Sequence, residues 1–284
     1  MASTAAFVEL IRRKEREAAA AVLHPYVTHI EQPPDAAQAI GSDWTRRLFD
    51  GDFYVSPPAN TTRPACSLVF VQSSDGNTVA HNPSSLGGGE TDKHLVYEGL
   101  SRVAADAVMA GAATVAGGKI VFSVWHPELV RLRVSFGKPR HPRQIIATLR
   151  GVDLDRELLY NVPELAISLV TIDSARAAMK RALAERPWIS PIVMGSPERL
   201  DDAFAQLRAT GVERISCVGG HLLATQLIDA GLVQDIYLTT APRPGGAAGT
   251  PMYPKPLKTR TVVRKTGTGA EQGVVVEHLR IDGA

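Results

Sequence analysis

From about residue 65 onward, short apolar runs alternate with longer amphipathic stretches. The runs are Cys66–Val71, Ala107–Ala110, Gln144–Thr148, Ala166–Thr171, Ile192–Met194, Ile215–Val218 and Ile236–Thr239, each with the length and β-branched character of a buried strand. The stretches between them carry helix punctuation. Ser196-Pro197 reads as an N-cap followed by proline at the first helical position. Leu200, Ala203, Phe204 and Leu207 then form one apolar face, and Gly211 is the stop. A second helix follows Asp173 and ends before Pro187; a third opens just after Gly219-Gly220 and ends at Gly231. Strands joined by helical crossovers predict a mostly parallel sheet covered on both faces. In the tail, Arg260–Lys265 and Gly273–Arg280 read as two strands across a Gly-rich turn, antiparallel strands closing a sheet edge.

The first 62 residues behave differently. Phe7, Leu10, Ile11, Ala18, Ala21 and Val22 recur at helical spacing and predict a helix over 4–23. Pro25, Pro33, Pro34, Pro57, Pro58 and Pro64 then break any regular pattern, apart from a short amphipathic piece at Trp44–Phe49. Residues 1–62 are expected to be an extension packed on, or reaching from, a main domain of residues 63–284. They carry no chemical motif.

Composition acts by exclusion. A chain of 284 residues has room for one large α/β domain or two small ones. Its 44% hydrophobic and 21% charged content argues against disorder. Lys and Arg number 31 against 29 Asp and Glu, a net charge of +2, so bulk electrostatics predicts no nucleic-acid and no membrane partner. There is no uncharged apolar run long enough for a spanning helix, and charges fill 12–17, where a secretory signal needs its apolar stretch. Cys66 and Cys217 lie inside apolar runs and read as reduced core residues, so a cytoplasmic location is expected. His81, His94, His126, His141 and His221 lack pairwise ligand spacing, and no metal is expected. Serine in a Gly-x-Ser-x-Gly context is missing, which disfavours hydrolase chemistry.

Three segments are candidates for chemistry. In Glu213–His221 an apolar strand runs through Gly219-Gly220 into a helix. Glycines admit a close-approaching ligand, and the unpaired N–H groups of a helix start attract a phosphate; taken alone, Gly-Gly is a weak signal that a plain tight strand-to-helix turn also explains. In Asp106–Val115 a strand ends at Gly111 with a hydroxyl at Thr114, which either faces a ligand or caps the next turn. Ser73-Ser74-Asp75-Gly76-Asn77 follows the first core strand and is turn-forming in any case. Ligands of a parallel sheet gather outside the carboxyl ends of its strands, so the glycines of the first two segments are candidates for one crevice.

In this order, together with Arg102, Gly231–Asp235, Ala241-Pro242 and Gly245-Gly246, the segments resemble the reductase domain of riboflavin biosynthesis, the RibD C-terminal type. The likeness spans roughly residues 65–282. It implies a dihydrofolate-reductase-like α/β three-layer sandwich, with a mostly parallel central sheet and antiparallel C-terminal strands. It further implies NADPH as cofactor, a pyrimidine- or pterin-like small-molecule substrate and a homodimer. The implied cofactor contacts are Gly219, Gly220, His221 and Leu222 for the pyrophosphate, and Gly111, Ala112 and Thr114 along the nicotinamide. Arg150 is the candidate for a 2′-phosphate, with Ser196 and Arg199 as alternatives. On the substrate side stand Arg102, Lys119, Trp125 and His126, the tryptophan as a stacking surface; Asp75 is the nearest proton donor. Each also has a bland reading, as solvated charge, loop lysine or core aromatic. Two departures bear on the substrate. Val218 stands where the family has glutamate before Gly-Gly, and Ala116-Gly117-Gly118-Lys119 replaces an acidic stretch that holds a phosphoribosyl group. The zinc-ligand Cys/His signature of a deaminase is absent, and no deaminase domain is expected ahead of the reductase-like region. A reductase of a different, specialised substrate and a non-catalytic nucleotide-binding homologue therefore stand as alternatives to the riboflavin-pathway reaction.

Overall fold

The structure is a computed structural model that describes residues 2–59, 61–80 and 83–282. Its strands are β1 (Tyr26–Glu31), β2 (Gln38–Ile40), β3 (Phe53–Val55), β4 (Ala65–Gln72), β5 (Ala107–Gly111), β6 (Arg143–Ala147), β7 (Ile167–Ile172), β8 (Ile189–Met194), β9 (Arg214–Cys217), β10 (Asp235–Thr240), β11 (Thr259–Gly267) and β12 (Val275–Ile281). Ten of them form one sheet in the order β1-β11-β12-β10-β4-β9-β5-β6-β7-β8, and β2 pairs with β3 apart from it. Every neighbour from β10 to β8 runs parallel, whereas β1, β11, β12 and β10 are mutually antiparallel. The expected α/β class, with antiparallel C-terminal strands, is what forms.

Helices cover both faces, as continuously apolar parallel strands require. On one face Leu200, Ala203, Phe204 and Leu207, with Leu223, Ala224 and Leu227 of the helix His221–Asp229, pack on Leu68, Phe70, Met109 and Cys217. On the other, Val69, Val108 and Tyr237 meet Leu95, Val96 and Leu100 of a helical run over 89–103, and Leu129 and Leu132 of the helix Pro127–Ser135. Gly99 permits this second contact: a Cβ there would lie 2.6 Å from Leu129 and 2.7 Å from the His94 carbonyl. Cys66 and Cys217 are both buried and unpaired, and burial pushes the Cys217 thiol up to about 12.

The N-terminal segment is more than an appendage. Tyr26–Glu31 is an edge strand of the main sheet, paired with β11. Phe7, Leu10, Tyr26, Phe49 and Phe53 share one apolar cluster with Val69 and Tyr237. The prolines at 25, 33 and 34 bracket this strand rather than abolish order. The helix is Ala2–Ala20. Two further boundaries differ from expectation. The stretch after Asp173 forms two short helices, Asp173–Ala178 and Lys180–Ala184. Ser196 is not an N-cap: its hydroxyl binds Glu198 at 2.7 Å, and the helix starts at Leu200.

Buried cations tie the second face together. Arg133 is fully buried and donates from Nη1 to the carbonyls of Arg102 at 2.6 Å and Ala105 at 2.7 Å, and from Nε to Pro139 at 2.7 Å. It thus satisfies the open carbonyls at the end of the run 89–103, just before β5. We expect Arg133→Met, which keeps the volume and strands those carbonyls, to lower the unfolding free energy by about 3 kcal/mol. A denaturant midpoint indistinguishable from the unsubstituted chain would contradict this.

Candidate functional site

β4, β9 and β5 are adjacent and parallel, so the chain leaves all three on one side of the sheet. The three segments of interest are these exits. Gly111 N–H donates to the Gly219 carbonyl at 3.1 Å, and Val218 N–H to Met109 at 2.9 Å. Gly220 N–H donates to Thr114 Oγ1 at 3.2 Å. The glycine pair, joined by a cis peptide, therefore lies directly against the Gly111–Thr114 turn. At the helix start, Gly220 is exposed and offers no side-chain cap. The first backbone bond back to it is Ala224 N–H to the Gly220 carbonyl at 3.0 Å, so the N–H groups of His221, Leu222 and Leu223 have no intrahelical acceptor.

The corner has room for a ligand. A Cβ at Gly111 would meet nothing within 4 Å, and one at Gly220 only Thr114 Oγ1 at 3.7 Å. Gly219 is different: buried, with φ at +113°, it takes a backbone shape that only glycine adopts without strain. Ala112 is half-buried, and Leu222 is 72% exposed, presenting an apolar side chain beside the open N–H groups. Uncapped donors, positive helix end and missing side chains fit a diphosphate. Arg150 follows the exit of β6, two strand spacings or roughly 10 Å from β9. It is exposed and makes no ion pair or hydrogen bond among the described residues. Ser196 and Arg199 follow β8, four spacings or roughly 19 Å away. Arg199 is engaged by Asp202 at 2.7 Å and Asp201 at 3.4 Å.

Several substrate-side expectations are corrected. Arg102 is 1% exposed; it donates to the Ser123 carbonyl at 2.8 Å and lies 4.9 Å from the Tyr97 ring centroid, so it is a core cation and cannot meet a ligand. Trp125, also 1% exposed, packs in the interior near His141 and Arg140 and offers no stacking face. His126 caps the helix Pro127–Ser135, accepting from Glu128 N–H at 3.3 Å, and its ring stacks on Trp44 at 4.3 Å. Asp75 is exposed and accepts from Ser73 Oγ at 2.5 Å and Gly245 N–H at 3.3 Å. The Ser73 hydroxyl foremost holds its carboxyl below the usual range, which suits a loop clasp and not a proton donor near neutral pH. Lys119 is exposed and lines a surface hollow of about 490 Å³ with Gly117, Gly118 and Arg156. Among the described residues no cluster of metal-ligating side chains occurs; His81 lies outside them.

One group went unread in the sequence. Asp92, in the run 89–103, is 6% exposed, and Thr239 of β10 donates to its Oδ1 at 2.5 Å. Thr239 pairs in register with Val71, at the exits of β10 and β4. Side chains alternate along a strand, so Thr239 shares a face with Tyr237. That face also carries Val69 and Val218. Asp92 therefore looks onto the same side of the sheet as Val218, at strand ends separated by β4. Burial pushes its carboxyl up to about 7, opposed by the Thr239 hydrogen bond and reinforced by the charge of Glu271. A lone aspartate in a helical stretch has no sequence signature; only the approach of β10 reveals it.

Residues 64–273 match the family described as RibD C-terminal domain. Among solved structures, the chain resembles a pyrimidine reductase-like protein from Corynebacterium diphtheriae at 22% identity and TM-score 0.62, covering 80% of this chain and 96% of that one. A riboflavin biosynthesis reductase of Saccharomyces cerevisiae matches at 16% identity and TM-score 0.54, over 78% of this chain and 91% of that one. RibD of Acinetobacter baumannii matches at 17% identity and TM-score 0.58, over 78% of this chain but only 58% of that one. At these identities the likeness is one of fold. No curated protein matches.

The two glycines separate structure from binding. Gly219→Ala should cost about 1–3 kcal/mol of stability through its positive φ. Gly220→Ala, at φ −48° with open space, should stay within about 1 kcal/mol of the unsubstituted chain. Equal losses in thermal or denaturant unfolding would contradict this reading of the corner.

Proposed function

Because the chain belongs to the RibD C-terminal domain family, a family of NAD(P)H-dependent reductases, we propose that it is an NADPH-dependent reductase of a pyrimidine- or pterin-like small molecule. The observation that carries the proposal is the uncapped helix start at Gly220–Leu222, set against Thr114 at the exits of three adjacent parallel strands. In this reading the N–H groups of His221 and Leu222 hold the diphosphate, with Gly219 and Gly220 keeping the approach clear. Gly111, Ala112 and Thr114 line the nicotinamide side. Arg150 takes the 2′-phosphate, since Ser196 and Arg199 are engaged elsewhere.

NADPH bound there supplies a hydride; the protein's part is to position the acceptor, exclude water and provide a proton. The face of the sheet that holds Val218 and Thr239 is the substrate side. Asp92 replaces Asp75 as the proton donor, because it is held on this face by Thr239 and burial raises its carboxyl to about 7. Val218 is 6% exposed and apolar. A phosphoribosylaminouracil would lose at this position the hydrogen bond that glutamate makes in the family, a loss of about 1–3 kcal/mol. A compact heterocycle without the phosphoribosyl arm suits the site better than the riboflavin-pathway intermediate.

Titration of the pure protein with NADPH, followed by nucleotide fluorescence and thermal shift, should show saturable binding. Arg150→Ala should weaken NADPH at least about tenfold, the loss of a charge-assisted contact, and leave NADH nearly unchanged. No response at millimolar NADPH would refute the proposal. Substrate identity is then read from NADPH oxidation against a panel of pyrimidines and pterins.

A further inference from the structure

The helix Ala2–Ala20 lies ahead of residues 64–273, the part that matches the family, and it has two unlike faces. Phe7, Leu10 and Ala18 are buried. On another face Ala5, Val8, Arg12 and Ala19 are exposed, with Glu15 half-buried among them. These five, with Val22 just past the helix end, recur at alternating spacings of three and four residues, which is the seam of a paired helix. Val8 is 40% and Val22 71% exposed. The helical part of this stripe, flanked by Glu9 and Arg16, lines a surface hollow of about 1210 Å³ together with Pro127. The charges of this face are mostly unused within the chain. Glu9, Arg12 and Arg16 make no ion pair or hydrogen bond among the described residues, whereas Arg13 and Lys14, off the stripe, pair with Glu17. Glu15 Oε1 accepts from Arg140 at 2.8 Å, which leaves its second oxygen for another donor.

Read along the helix, the stripe runs apolar, apolar, positive, negative, apolar, apolar. It is therefore complementary to its own reverse. We propose that two copies of this chain pair through the helices Ala2–Ala20, antiparallel about a twofold axis between residues 13 and 14. In that register Ala5 meets Val22 of the second copy, Val8 meets Ala19 and Arg12 meets Glu15, and each contact occurs twice by symmetry. Glu9 comes beside Arg16 of the second copy on one flank, and alanine at 5 and 19 lets the two helix axes approach closely. The charges select this arrangement. A parallel pair would set Arg12 on Arg12 and Glu15 on Glu15, and a slip of one heptad would set both charges against apolar residues. The family likeness implies a homodimer without saying which surface forms it. This seam belongs to residues outside the family match, and it does not depend on the reductase reading.

The test is sedimentation velocity of the full chain over a range of concentrations, with circular dichroism on the same samples. At about 100 μM the chain should sediment at twice its 30.4 kDa. Glu9→Arg and Arg16→Glu each bring like charges together and should raise the dimer dissociation constant at least about tenfold. The double variant, Glu9→Arg with Arg16→Glu, restores opposite charges and should return it to within about threefold of the unsubstituted chain. Both side chains are exposed and unpaired within the chain, so the circular dichroism spectrum should be the same in all variants. A mass of 30.4 kDa at every concentration overturns the proposal and leaves this face to a different partner. A dimer that neither single variant weakens pairs through other residues, and losses that the double variant does not restore exclude this register; either result overturns the proposal as well.

Discussion

The site depends on the pairing of β9 between β4 and β5. Parallel strands in register must end on the same side, and β9 is short: it pairs with β4 only through Ala65–Leu68. The sheet therefore opens at the end of β9, and the chain crosses this gap through two glycines before it turns into a helix. The bonds from Gly111 N–H to the Gly219 carbonyl and from Gly220 N–H to Thr114 Oγ1 continue the β9–β5 contact past the last strand residue. They fix one helix start, with its open donors, against one glycine turn. Every other element serves to hold these exits or to close the space around them.

That support comes from both faces and from outside the family match. Arg133 and Arg102 satisfy carbonyls before β5 and in the loop 116–126, so the carbonyls of Arg102, Ala105 and Ser123 around the turn at Gly111 are bonded. The N-terminal segment adds β1 to the sheet edge, where Lys265 is buried between Thr28 and the Asp50 carbonyl, at 2.7 Å and 2.9 Å. It also sets Trp44 on His126 and Tyr26 against Phe49. Residues without a chemical motif of their own thus belong to the same apolar cluster as Val69, Val218 and Tyr237 beneath the strand exits.

Strand positions were legible because the buried parallel strands are uniformly apolar. Cys66–Val71 and Ile215–Val218 lie within a residue or two of β4 and β9. The glycine turns were legible for the same reason, as breaks in that rhythm. β1 was not: Tyr26–Glu31 is a half-exposed edge strand between prolines, and its pairing partner is more than two hundred residues away. Side-chain roles were least legible. Arg102 has the chemistry of an anion ligand and the burial of a core residue, a choice set by Ser123 and Tyr97, which reach it from a loop and from its own helix. Asp75 lies next to the site in sequence but is clasped by Ser73 and Gly245. Asp92 stands further along the chain and is brought to the same side of the sheet by Thr239.

The central claim is that the glycine corner between β9 and its helix receives the diphosphate of a dinucleotide. The most direct measurement is a crystal structure of the protein with NADPH. The account predicts the diphosphate against the N–H groups of His221 and Leu222, beside Thr114. Ordered NADPH whose diphosphate rests on any other loop, with this helix start facing solvent or side chains, would contradict it.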